Sequence, residues 1–345
     1  MWGERGSGGS LAVKQRRCRL GLLYLLVSLA LVTGFMAAGC GGAGPQAPAS
    51  SAGETSPAAS APAASPPGPL APRWDAPGSA TLAQALAVTR RYAAALHTER
   101  IPKADLYVPE AAWDHWGSGA AHVTGASVIE RIYRDAGTYL DWSRAVHLMA
   151  APGVGVCESV ATNLGGSVNT PPRTPYVTLL AVDGDRIARE EIFTDTRSLP
   201  PRKPPVEFWR SPPGPRDTAH AAAAAGAAVG DAFANGDPAA LRAVVSPDVL
   251  FYDTAQAHGL RGWSALLHWW TNVPDVELRN EQTIAGPGWA VDLWTVRQVL
   301  ATGEEKATPG ATVMEVRSGK VVRVTLYYES RDVPLQIRGS GMVVQ

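Results

Sequence analysis

Cysteine is scarce in this chain. Its 345 residues hold three, Cys18, Cys40 and Cys157, too few and too far apart for a disulfide framework or a zinc cluster. Charge of one sign is missing as well. Lys+Arg and Asp+Glu both number 31, so the basic footprint demanded by phosphate backbones is absent and nucleic acid is not expected as a partner. Asp114, His115 and His122 lie close in sequence, but no His-x-x-x-His or carboxylate–His spacing puts three ligands on one face. Neither a metal nor a cofactor is expected. What remains is ordinary globular composition, 46% hydrophobic and 18% charged, on a length that suggests two domains.

The N-terminus reads as an export signal. Lys14, Arg16, Arg17 and Arg19 precede an uncharged run from Leu20 to Ala38, the order of the basic and apolar regions of a secretory signal. The run closes on Met36-Ala37-Ala38-Gly39-Cys40, which resembles the bacterial lipobox, with Ala37 where that pattern prefers Leu or Val. The resemblance implies a signal peptide over 1–39, a diacylglyceryl group on the Cys40 thiol, and Cys40 as the first mature residue. The alternative is an uncleaved anchor, since about twenty apolar residues span a bilayer. Either way the rest of the chain lies on the extracytoplasmic side of the cell membrane, because the positive flank stays inside. Cys157, in the strand-like run Val154 to Val160, reads as a small buried hydrophobe.

Residues 40–78 collapse to Ala, Pro, Ser and Gly, a composition that cannot bury enough apolar surface to offset ordering entropy and reads as a tether. A second proline-rich stretch, 199–216, separates two globular blocks, 79–198 and 217–332, with a tail over 333–345. The blocks are related. Asp185-Arg186-Ile187-Ala188-Arg189 and Gly319-Lys320-Val321-Val322-Arg323, Pro109-Glu110 and Pro247-Asp248, and Gly125-Ala126-Ser127 and Gly262-Trp263-Ser264 recur roughly 134–138 residues apart, the signature of a tandem duplication. In each block a helix comes first, over Thr81 to Thr98 and from an N-cap at Asp217 or Thr218 to Phe233. Asn235-Gly236 stops the latter and Asp237-Pro238 starts the next. A short strand, a short helix (Ala126 to Arg134; Trp263 to Trp270) and four alternating runs follow, in the second block Val276 to Thr283, Trp289 to Gln298, Ala311 to Val316 and Val321 to Tyr328.

This order of elements resembles the SnoaL-like branch of the nuclear transport factor 2-like superfamily. The residues that carry it are Ser246-Pro247-Asp248-Val249-Leu250-Phe251-Tyr252-Asp253, Leu260-Arg261-Gly262-Trp263 and Gly319 to Tyr328, with their first-block counterparts. The resemblance implies an α+β fold in two tandem cone-shaped domains, each a curved, mostly antiparallel sheet wrapped on helices around an apolar cavity. Such a cavity suits a small apolar ligand. Single-domain relatives often pair through their sheets, so the duplication is also readable as a fused dimer.

The family includes isomerases, polyketide cyclases, hydrolases and members without activity, so residues must decide. In its ketosteroid isomerases a carboxylate base is joined by a tyrosine and a neutral acid. Matched by the fold markers, the base position falls on Asp253 and His115, the tyrosine on Tyr92 and Val229, and the acid on Thr178 and Thr312. Neither block holds the full set, and a base without a preorganised oxyanion partner supplies only part of the stabilisation. The ordinary readings are Asp253 as a turn-capping carboxylate, His115 as a rim residue and Tyr92 as a core aromatic. Binding of a small apolar ligand or a protein partner is therefore the expected function, with Trp113, Tyr252, Trp294 and Tyr328 as candidate contacts. The alternative is an enzyme working through Tyr92 and His115, or through Asp253. In the binding case Asp253 is expected on a solvated rim.

Overall fold

The computed structural model describes residues 78–99, 101–116, 121–136, 142–162, 173–195, 213–255, 259–271, 277–299, 303 and 305–330. The signal, Cys40, the tether, most of the 199–216 stretch and the tail lie outside these residues.

Helix α1 (Leu82–Ala94) starts at Thr81, whose hydroxyl accepts from the Gln84 amide while the Gln84 side chain accepts from the Thr81 amide. This reciprocal box satisfies two of the amide donors that a helix start leaves free. Helix α1 runs into a π-helical turn, Ala95–Glu99, and a 3₁₀ turn, Ala104–Leu106, follows. Strands β1 (Tyr107–Trp116) and β2 (Ala121–Thr124), helix α2 (Ala126–Ala136), and strands β3 (Trp142–Ala151), β4 (Val154–Thr162), β5 (Arg173–Asp183) and β6 (Arg186–Thr194) complete the first half.

The second half repeats the plan. Helix α3 (Ala219–Asn235) is capped by Thr218, not Asp217, and ends at Gly236 in the left-handed region with φ of 62°, where a Cβ would be strained. Asp237 accepts from the amides of Ala239 and Ala240, and Pro238 opens α4 (Pro238–Val244). Strands β7 (Val245–Asp253) and β8 (Leu260–Arg261), helix α5 (Trp263–Thr271), and strands β9 (Glu277–Gly286), β10 (Trp289–Val299), β11 (Glu305–Arg317) and β12 (Lys320–Tyr328) follow. Among the described residues, the second half alone has an α-helix between its first helix and first strand. The first half makes that connection with its 3₁₀ turn.

The two sheets have the same order, β2-β1-β6-β5-β4-β3 and β8-β7-β12-β11-β10-β9. The first strand lies parallel to the last in each, β1 on β6 and β7 on β12, and every other described pairing is antiparallel. Side chains alternate across the strands. One face of each sheet therefore packs on its own helices, giving a core around Tyr92, Ile129 and Leu180 in the first half and one around Val229, Leu266 and Met314 in the second.

The other faces pack on each other. Val154, Val156, Val177, Leu179 and Phe193 share one buried cluster with Trp289, Val291, Leu293, Val313 and Tyr327. Into it the first half inserts Glu158 and the second Arg323, both without solvent exposure. Arg323 holds Glu158 through both terminal nitrogens, at 2.9 and 2.5 Å, and turns its Nε to Glu315 at 2.8 Å. Tyr327 donates to Glu158 at 2.8 Å, and Ser330 to Asp195 at 2.7 Å. Each fully buried Val, Leu or Phe contributes about 1.5–3 kcal/mol, whereas a buried ion pair roughly breaks even against its desolvation. The apolar residues thus hold the halves together, and the pair fixes how they meet.

Candidate functional site

Glu190, on the helix-facing side of β6, has no solvent exposure and is ringed by tyrosines. Tyr92 of α1 donates to it at 2.7 Å, Tyr107 of β1 at 2.6 Å, and Tyr133 of α2 also donates to it. Tyr92 and Tyr133 touch hydroxyl to hydroxyl at 2.9 Å. The Trp113 indole N–H lies against the same carboxyl without reaching good hydrogen-bond geometry. Burial pushes the Glu190 carboxyl up from its ordinary value, and the hydrogen bonds from Tyr107, Tyr133 and Tyr92 only partly offset this. The three phenols are raised, first by burial and then by Glu190. The cluster is thus a set of protonated donors around a carboxyl whose hold on a proton is strengthened by burial. When neutral, its own O–H becomes a further donor.

The second half lacks all of this. Glu190 lies opposite Trp113 in the β1–β6 register, and Val324 opposite Phe251 in β7–β12. By the same register and helix counts, Tyr92, Tyr107 and Tyr133 correspond to Val229, Val245 and Trp270. Those residues belong to or pack against the apolar core around Phe251 and Trp269. One half carries a polar centre, and the other fills the same space with hydrocarbon.

His115 sits two residues beyond Trp113 on the same face of β1, its ring stacked on the indole at 5.6 Å between centroids. It is half-buried, and desolvation pulls it down to about 4, so it is neutral near pH 7. Such a group is a poor base there, because general bases work best near the operating pH. Asp114, on the opposite face, pairs with His122 at 2.7 Å and Arg189 at 3.1 Å. Among the described residues no group of three or more His, Cys, Asp or Glu could hold a metal.

Asp253 departs from the rim position expected for it. It is 1% exposed, accepts from the Ala255 amide at 2.8 Å and receives the Tyr328 hydroxyl at 3.1 Å. It does cap its turn, but buried at the end of β7. Tyr252 faces away from the helices, toward Tyr327 on the inter-half side, which takes it out of any pocket on the helix face. Trp294 and Tyr328 are on the helix side yet committed: the Trp294 indole donates to Thr312 at 2.8 Å, and the two rings pack at 5.8 Å. Trp294 also lies over Gly310, where a Cβ would run into the indole ring. Of the candidates, Tyr92 and Trp113 meet at one centre with His115 beside it. Thr178 lies 3.4 Å from the Tyr92 hydroxyl. Cys157 is buried in β4 with its thiol pushed up to about 12 by burial, an inert environment.

Sequence reasoning misses Glu190, Tyr107 and Tyr133. The available signal is the Glu190-Glu191 doublet: adjacent strand residues point to opposite faces, and when both faces are covered, both carboxylates go inside.

No curated protein matches the chain. Among solved structures, it is similar to a nuclear transport factor 2-like protein of unknown function from Mesorhizobium loti, at 22% identity over 33% of this chain and 96% of that one, with a TM-score of 0.29. It is similar also to a protein with a ketosteroid isomerase-like fold from Catenulispora acidiphila, in complex with trimethylamine, at 17% identity over 32% and 89%, with a TM-score of 0.28. The family model of the SnoaL-like domain matches residues 227–324, so the second half of this chain carries a SnoaL-like domain.

Proposed function

We propose that the protein is a lipid-anchored, extracytoplasmic binding module of two SnoaL-like domains, in which the first half binds a small apolar ligand and the second serves as its fused structural partner. The observation that carries this reading is the Glu190–Tyr92–Tyr107–Tyr133 cluster and its replacement by Val324, Val229, Val245 and Trp270. A ligand with one carbonyl or hydroxyl on an apolar body would draw one of these phenol protons away from Glu190. The side of the cluster nearest solvent is formed by Tyr133 and Trp113, which keep 8% and 7% exposure. Catalysis is disfavoured because desolvation pulls the base beside the cluster, His115, down to about 4.

The test is titration with 2-acetonaphthone, a fluorescent apolar ketone, alongside assay of an enone for turnover. Binding is expected, weakened about 5- to 10-fold by Tyr133→Phe, the value of about one hydrogen bond, with no turnover. Turnover of the enone that disappears in His115→Gln would establish the enzyme instead.

The anchor is a separate proposal and rests on Met36 to Cys40. Cys40→Ala is expected to leave an unprocessed, lipid-free chain. Mass spectrometry of the membrane fraction finding Cys40 unmodified in the parent protein would contradict it.

A further inference from the structure

Where the halves meet, beside α1 and away from the Glu190 cluster, lies a cavity of about 180 Å³. Its walls come from both halves and are mainly apolar, with Leu82, Leu148 and Trp289 among them. Leu82 and Leu148 are 42% and 36% exposed, the two large hydrophobic side chains left in solvent among the described residues. A cavity of about 150 Å³ takes up benzene, so this volume fits one substituted ring.

Two polar atoms of residues lining this space lack hydrogen-bond partners: His147 Nε2 and Arg317 Nε. Both side chains are at least nine-tenths buried, at 10% and 7% exposure. Their chemistry differs. His147 Nδ1 lies 2.9 Å from Glu158. Although burial alone would raise Glu158, the Arg323 guanidinium and the bond from His147 hold its carboxyl well below the usual range, so it only accepts. The Nδ1–H therefore donates to Glu158, and in the neutral tautomer so fixed Nε2 is an acceptor. Arg317 spends its terminal nitrogens on the Gly288 and Val316 carbonyls and on Glu315, leaving Nε–H as a donor. One acceptor and one donor among mainly apolar walls match a hydroxyl, which gives one hydrogen bond and takes one. A carboxylate would meet the cations Arg216 and Arg317 in this lining but would have no proton for Nε2 and would face Glu315, whose Oε1 is 3.9 Å from that nitrogen.

We propose that this junction cavity is a second binding site, for a single-ring phenol whose ring lies on Leu82, Leu148 and Trp289 and whose hydroxyl reaches His147 and Arg317. Because both halves form its walls, the site requires their fusion.

The experiment is calorimetric titration of the full-length chain with p-cresol and with its methyl ether. One p-cresol per chain is expected, with the ether binding at least tenfold more weakly. Leu148→Trp, at a partly exposed position that tolerates bulk, should weaken p-cresol at least tenfold by filling the slot. Glu190→Gln, in the other site, should leave it unchanged, and 2-acetonaphthone should not compete. Absence of p-cresol binding, equal affinity for the ether, indifference to Leu148→Trp, or loss in Glu190→Gln would each overturn the proposal. The first three outcomes leave the ketone titration untouched, so failure here is separable from failure there.

Discussion

Arg323→Met is expected to cost about 3–5 kcal/mol of stability, because it leaves Glu158 ionised and fully buried between the sheets without its counter-charge. Glu158 would retain Tyr327 and His147, two hydrogen bonds against a loss of two charge-assisted ones. Adding Glu158→Gln should recover much of the deficit, since the stranded charge, rather than the missing pair, dominates the cost. Urea unfolding of the full chain measures both. A single variant within 1 kcal/mol of the parent would mean that water reaches Glu158 and that the halves are not sealed together. A fragment of the second half alone would expose Trp289, Val291, Leu293, Val313 and Tyr327 together with Arg323 stripped of Glu158, so it should aggregate or unfold instead of standing alone.

Asp292→Asn is expected to act in the opposite direction and only at higher pH. Burial pushes the Asp292 carboxyl up to about 7. Its Oδ1 accepts from Thr283 at 2.8 Å, whereas Oδ2 has no hydrogen-bond partner. Between the unfolded value of 3.8 and about 7, the folded chain binds this proton and the unfolded chain does not. Stability from this group therefore falls as pH rises through that window and is flat above it. The span corresponds to roughly 4 kcal/mol. Asparagine keeps the bond from Thr283 and removes the charge. The variant should match the parent near the low end of the window and exceed it by about that amount above its high end, read as the difference between their urea midpoints. Parallel pH profiles would contradict the burial of a neutralised Asp292. Gly230 supports the tight packing here, since a Cβ on it would lie 2.7 Å from Asp292 Oδ2 and run into Asn280.

Local features are legible in the sequence because they are set within a few residues. Thr81, Thr218, Asp237-Pro238 and Gly236 mark the helix ends where capping chemistry puts them. The alternating runs from Trp289 and Val321 are strands with nearly the expected bounds, and β11 extends earlier, to Glu305. The shared strand order of the two sheets is foreshadowed by the matching β6 and β12 ladders. What cannot be read is whatever depends on convergence across the chain. Glu158 and Arg323 are 165 residues apart, and Tyr92, Tyr107, Tyr133 and Glu190 come from four elements. Tyr92 is recognisable as a donor, but without Glu190 it has nothing to act on. Fold markers put the acid position on Thr178, one strand away from Glu190 in the β5–β6 pairing. Asp253 misleads for a related reason. Strand-end carboxylates are commonly solvated, and the Tyr328 hydroxyl and the Ala255 amide are what make its burial tolerable.

The claim that the first half is the binding half is tested most directly by tyrosine-resolved NMR. With the tyrosine ζ-carbons labelled with carbon-13, titration of 2-acetonaphthone should shift Tyr92, Tyr107 and Tyr133 together, because they share one carboxyl, and leave Tyr252, Tyr327 and Tyr328 in place. Shifts confined to the second-half tyrosines, or saturable binding that moves none of the three around Glu190, would contradict the account.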